Sequence, residues 1–127
     1  VLEAVIYAMH SVHQALEEQV GPSVEIRATG GFARSPLWLQ IMADVFGREV
    51  VVAESHESSC LGAAVLAMVG TGVAPGLQVV HQMVRTRERR RPDPEAHEVY
   101  RQLFAVYQQV YHQTVEAMDI IAAFQRR

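Results

Sequence analysis

Cysteine is almost missing from this 127-residue chain, and Cys60 stands alone. One thiol excludes an internal disulfide framework and suits a reducing compartment, so a cytoplasmic location is the expectation. No apolar run approaches the roughly 18 residues that suggest a spanning helix. An excess of positive charge is missing too. The formal net charge of −3 at pH 7 gives no pull toward nucleic acid or a membrane surface, so neither is expected as a partner. There are six histidines but no His-Glu-x-x-His pattern. His10 and His13 share a helix face without a third ligand in sequence reach, so a polar face, not a metal site, is expected there. His56 and Cys60 are four residues apart, yet the histidine should precede a helix and the thiol should be buried, which argues against a nucleophilic pair. Ser58-Ser59 lacks the surroundings of a nucleophile elbow and reads as capping. Internal repeats and low-complexity segments are absent as well.

What is present fits one modest domain, with half of the residues apolar and a fifth charged. Val1, Leu2, Val5, Ile6, Met9, Val12, Leu16 and Val20 recur at helical spacing up to the stop at Gly21-Pro22. Val24 to Ala28 alternates apolar and charged residues and reads as a short strand. Ser35 and Pro36 then form an N-cap and first helical position, and Gly47 closes that helix. Val50-Val51-Val52 suits a buried strand. Cys60 to Val69 is a helix rich in Gly62, Ala63, Ala64 and Ala67, small enough to sit close to a neighbour. Residues 71–92 read as irregular, and the run Arg85, Arg87, Arg89, Arg90, Arg91 as a solvated loop.

Asp93 and Pro94 open a long last helix, with Glu95 and Glu98 in its first turn and Arg126-Arg127 after its end, a polarity that suits the helix dipole. Its apolar positions are Val99, Leu103, Val106, Val110, Val115, Met118, Ile121 and Phe124, while Tyr100, Tyr107 and Tyr111 read as a packing stripe. A second copy of the chain is a candidate partner for the apolar face.

The order predicts an α/β fold with a βαβ core, parallel strands and flanking helices. Two strands are too few for a stable sheet, so further strands from elsewhere are expected. Val1 falls inside a helical pattern without a cap, and the expectation is a piece of a larger protein, a single partial domain over residues 1–127.

The stretch "TGGFARSPLW", residues 29–38, places Gly30-Gly31 between a strand and a helix start. Such a junction offers free backbone N–H groups and a positive helix end, and glycine removes the Cβ that would hold a phosphate away. The alternative is a plain tight turn. It is not a P-loop, because that motif's lysine and hydroxyl are absent, and it lacks the third glycine of the dinucleotide fingerprint.

With its flanks, "GGFARSPLWLQIMADVFGREV" followed by "ESSCLGAAVLAMVGTG" closely resembles the C-terminal domain of the FGGY carbohydrate kinases. The resemblance covers nearly the whole chain. It implies the C-terminal, nucleotide-binding lobe of an actin/Hsp70-like (ribonuclease H-like) ATPase fold. Within the family, "RATGGFARSPLW" and "ESSCLGAA" are most similar to bacterial gluconate kinases, and xylulose kinases carry a similar pattern.

The resemblance implies transfer of the ATP γ-phosphoryl group to a sugar hydroxyl, with Mg2+, between two closing lobes. It implies nucleotide contacts from Gly30 and Gly31, with Ser35 and Gln40 as further candidates on the following helix. Ser35 stands where some relatives carry an asparagine, so capping can be its whole role. Gly62 and Ala63 are implied to let a helix pack beside the nucleotide cleft, and Glu57 to orient a loop. The catalytic base and the sugar site are implied to lie on an N-terminal lobe that this sequence lacks. No catalytic residue is therefore assigned, and the piece alone is expected to be inactive. The same lobe from a pentulose kinase, or a non-catalytic actin-like regulator or assembly module, is the alternative.

Overall fold

The computed structural model describes residues 1–54 and 58–125. Helix α1 (Leu2–Val20) leads to strand β1 (Ile26–Ala28), a 3-10 turn (Gly31–Arg34) and helix α2 (Pro36–Phe46). Strand β2 (Val50–Ala53), helix α3 (Ser58–Gly70) and a second 3-10 turn (Leu77–Val79) follow. Helix α4 (Val80–Met83), strand β3 (Thr86–Arg90) and helix α5 (Pro94–Gln125) complete the chain.

β1 and β2 are parallel, with Ile26 opposite Val50 and Ala28 opposite Val52. The expected pairing around α2 is therefore present. The expected shortage of strands is not, because residues 86–90 form a third strand. β3 lies antiparallel on β2, placing Val51 opposite Arg89 and Val50 opposite Arg90. The arginine run is thus an ordered edge strand and not a solvated loop. Charged side chains are common on such edges because they discourage further pairing. β2 is now the central strand, which explains why all three of its valines are buried.

The core lies where α1, α2 and α5 meet. α2 buries Leu39 and every residue from Ile41 to Phe46. From α1 come Ile6 and Tyr7, and from α5 comes Phe104. Tyr7 stands at the centre of an aromatic group, with ring centroids 5.7 Å from Phe104, 5.4 Å from Tyr107 and 6.3 Å from Tyr100. The tyrosine stripe packs as expected at Tyr100 and Tyr107, whereas Tyr111 is exposed. The aliphatic stripe of α5, from Val99 to Phe124, faces outward. The last helix therefore docks by its aromatic face.

Asp44 is the buried acidic group of this region. Its Oδ1 accepts from Gln40 Nε2 at 2.9 Å and from the Asp93 amide at 2.8 Å. His97 Nδ1 donates to the Asp44 carbonyl oxygen at 2.7 Å. Asp93 also caps α5, accepting from the Glu95 and Ala96 amides, as its position before Pro94 predicts. These bonds tie the start of α5 to α2. Gly47 sits beneath the clasp at φ 61°, where a Cβ would collide with the His97 ring.

His13 keeps the polar contacts expected of its face, with Nε2 2.9 Å from Ser23 Oγ and 3.4 Å from Glu17, and His10 and His13 also pack as rings. Their rings stack at 6.0 Å, and each lies about 5 Å from Phe46. α3 departs further from expectation. Among its small residues nothing presses on Gly62, and Cys60 is exposed instead of buried. No helix among the described residues is long and apolar enough to cross a membrane. His56, Glu57 and Arg126-Arg127 lie outside the described residues.

Candidate functional site

Parallel pairing brings the carboxyl ends of β1 and β2 side by side, the edge where open α/β sheets receive ligands. Thr29 and Gly30 leave β1 at this edge. Gly30 has φ 84° and ψ −167°, a conformation open essentially to glycine alone. The Gly30 carbonyl accepts the Ala33 amide at 3.2 Å, and the Phe32 carbonyl accepts the Ser35 amide at 3.0 Å. The chain thus makes one tight turn before α2 begins. Ser35 Oγ caps that helix by accepting the Trp38 amide at 3.5 Å, and Pro36 occupies the first helical position.

Gly31 differs from Gly30. Its φ imposes no glycine requirement, and a Cβ added there would meet nothing within 4 Å among the described residues. The packing of the described residues does not demand glycine at this position. Open space in front of a turn whose leading amides lack partners within the turn is what an approaching anion needs.

The other candidates separate. Ser35 is engaged as a cap at the base of the corner. Gln40 directs its Nε2 to Asp44 and to the Arg91 carbonyl oxygen, at 2.9 and 3.0 Å. Its amide group therefore serves the α2–α5 clasp.

Two features of the corner escape a reading of local pattern. The Thr29 and Ser58 hydroxyls are hydrogen-bonded, joining the end of β1 to the start of α3. On the far side of that link a cleft of about 330 Å3 opens between α3 and α4, with Glu54, Ser58, Leu61, Gly62, Met83 and Arg85 in its wall. The Glu54 amide donates to the Arg85 carbonyl oxygen at 2.8 Å and closes its floor. Gly62 lines this cleft, and no described atom lies within 4 Å of where its Cβ would stand. The second feature is Arg87, whose guanidinium donates to the Ala33 carbonyl oxygen at 2.9 Å.

Each arginine of β3 has a carboxylate partner, Arg87 among them, 3.0 Å from Glu88. Arg89 lies 2.7 Å from Glu49 and 3.8 Å from Glu25, and the side chain of Arg91, just beyond the strand, reaches Glu49 at 3.3 Å. The hydrogen bonds from Arg89 and then Arg91 hold the Glu49 carboxyl below the usual range. Arg90 lies 3.3 Å from Glu88. Across this strand the positive charge is neutralised locally and does not form a phosphate track.

Comparison with known proteins supplies an independent line. Residues 1–71 match the C-terminal domain of the FGGY family of carbohydrate kinases. A gluconokinase of Bacillus licheniformis is 44% identical over 126 residues, covering 98% of this chain and 25% of that protein. The structure of a gluconate kinase from Lactobacillus acidophilus superposes with a TM-score of 0.81 at 26% identity, covering 90% of this chain and 23% of that one. The structure of a xylulose kinase from Rhodospirillum rubrum gives a TM-score of 0.72 at 36% identity, covering 89% of this chain and 23% of that one. The chain spans about a quarter of the length of the curated gluconokinases it matches.

Proposed function

Because this chain belongs to the FGGY family of carbohydrate kinases, as a C-terminal domain, we propose that it is the nucleotide-binding lobe of an ATP-dependent sugar kinase acting on gluconate. The observation that supports the reading best is Gly31, whose missing side chain answers to no contact among the described residues. A phosphate entering that space meets main-chain amides without displacing protein atoms. Gly30 sets the turn that presents them. Ser35 secures α2 behind the turn, so the positive end of that helix adds to the field on the phosphate.

In such a reaction the lobe binds and orients the nucleotide so that its γ-phosphoryl group faces the sugar hydroxyl. Mg2+, when present, neutralises phosphate charge. Among the described residues no group of three or more His, Cys, Asp or Glu side chains could hold a metal, so the proposal places it on the nucleotide. The base that accepts the hydroxyl proton and the sugar contacts belong, in this reading, to the other lobe of the kinase. Gluconate is preferred over a pentulose because the similarity to gluconokinases runs over 98% of the chain at 44% identity.

Gly31→Val in the full-length protein tests the site. The branched side chain fills the open space, and ATP should bind roughly tenfold or more weakly, the scale of losing one or two hydrogen bonds to a charged group. Binding of gluconate should survive, as read by titration calorimetry. Unchanged ATP affinity would reduce the glycine pair to a plain turn.

A further inference from the structure

We propose that Arg87 is a positioning residue for the nucleotide corner, holding its backbone in the receptive shape from a bulge in β3. The inference rests on the reading of Gly30-Gly31 as a phosphate contact. Two independent observations carry it. The first is the register of the β2–β3 ladder. Val52 stands opposite Glu88, but Ala53 stands opposite Thr86, so the register shifts and Arg87 is the residue inserted at the bulge. A bulge breaks the alternation of a strand and re-aims one side chain, and bulges concentrate beside active sites. The second is the destination of that side chain. Its guanidinium donates to the carbonyl oxygen of Ala33, a buried residue of the turn that begins at Gly31.

The arginines of this strand share carboxylate pairing, and Arg87 adds a main-chain acceptor to it. Arg89 and Arg90 engage carboxylates, which brings charge neutralisation. Arg87 also touches Glu88, at 3.0 Å, and that contact anchors the guanidinium while it serves a main-chain oxygen 54 residues earlier. A cation on a carbonyl is among the stronger neutral-acceptor hydrogen bonds. With the Ala33 carbonyl held, the turn cannot unwind, and the direction of its leading amides is set. The Thr29–Ser58 bond restrains the other end of the same five-residue corner. The corner is thus held at both ends by side chains from later in the chain.

The test is steady-state kinetics on the full-length protein with Arg87→Ala, Arg87→Lys, Gly31→Val and the control Arg89→Ala. For Arg87→Ala, KM for ATP should rise roughly five- to tenfold, the loss of one charge-assisted bond. kcat and KM for gluconate should stay within about twofold, because the effect is on nucleotide positioning and not on the reacting atoms. Arg87→Lys, which keeps the charge and a donor, should recover part of the loss. Arg89→Ala should leave KM for ATP unchanged. If Gly31→Val weakens ATP but Arg87→Ala does not, the inference is wrong and the site reading stands. If neither changes ATP affinity, the site reading fails, and the inference with it. If Arg87→Ala or Arg87→Lys lowers the melting temperature and degrades ATP and gluconate kinetics alike, Arg87 is structural only and the inference is overturned.

Discussion

Two apolar helices of this chain meet opposite fates. α2 buries seven of its eleven residues, while α3, no less apolar, buries Val65 alone, so apolar content by itself does not decide burial. α2 lies against β2, α1 and α5, and its residues have a neighbour on nearly every side. In α3 the apolar residues run all round the helix without forming one face, and Leu66 is 63% exposed. A helix of that kind needs cover from several directions at once. The α1–α2–α5 assembly is the body of the domain, and the α3–α4 segment is the wall of a cleft beside it.

The sharpest way to break this comparison is a matched pair of truncations. Leu39→Ala, at a fully buried position of α2, should lower stability by about 3 kcal/mol through lost burial and a cavity. Leu66→Ala on α3 should stay within about 0.5 kcal/mol. Urea unfolding of the two variants measures the difference, and equal losses would erase the distinction between the helices.

A smaller effect is expected at the clasp that attaches α5 to the body. Asp44→Ala leaves the Asp93 amide without its side-chain acceptor and takes one of two acceptors from Gln40 Nε2, at a cost of about 2 kcal/mol. Asp44→Asn keeps an acceptor oxygen and should cost less. Faster hydrogen exchange at the start of α5, with α3 unchanged, would locate the damage where the comparison puts it.

The smallest effect concerns acid. Burial pushes the His10 imidazole below its ordinary value, and the neighbouring His13 pushes the same way. His97 and Arg48 add to the lowering, while Glu17 opposes it. The fold therefore favours neutral His10, and the unfolded chain takes up the proton more readily. Its contribution to stability is complete above about pH 6.5 and declines as pH falls through that value toward the lower folded one. The melting temperature should drop between about pH 7.5 and pH 5.5, and His10→Phe should flatten the drop if ring packing is kept. A melting temperature that climbs on acidification would contradict the assignment.

Much of the body was legible in the pattern of residues. Ser35-Pro36, Gly47 and Asp93-Pro94 mark helix ends through partners no more than four residues away, so local reading finds them. The corner at Gly30-Gly31 was legible for the same reason. β3 was not, because Thr-Arg-Glu-Arg-Arg has no apolar alternation and becomes a strand only through its ladder with β2. The exposure of Cys60 was also misread, since small residues state that close packing is allowed and not that a neighbour is present. The place of Gln40 in the clasp was not legible for a similar reason, as its partner Arg91 lies 51 residues away.

The sequence by itself determined the main helix ends, which strand is fully apolar, and where a glycine pair makes the turn between β1 and α2. These are short-range matters of dihedral preference, capping and periodicity. Only the tertiary structure decided that an arginine-rich segment completes the sheet, that a bulge sends Arg87 to the Ala33 carbonyl, and that Asp44 fastens the last helix. Each of those joins groups about fifty residues apart or reads a register between strands. Their free energy exists only once the whole chain has brought both partners together, so no local window contains it.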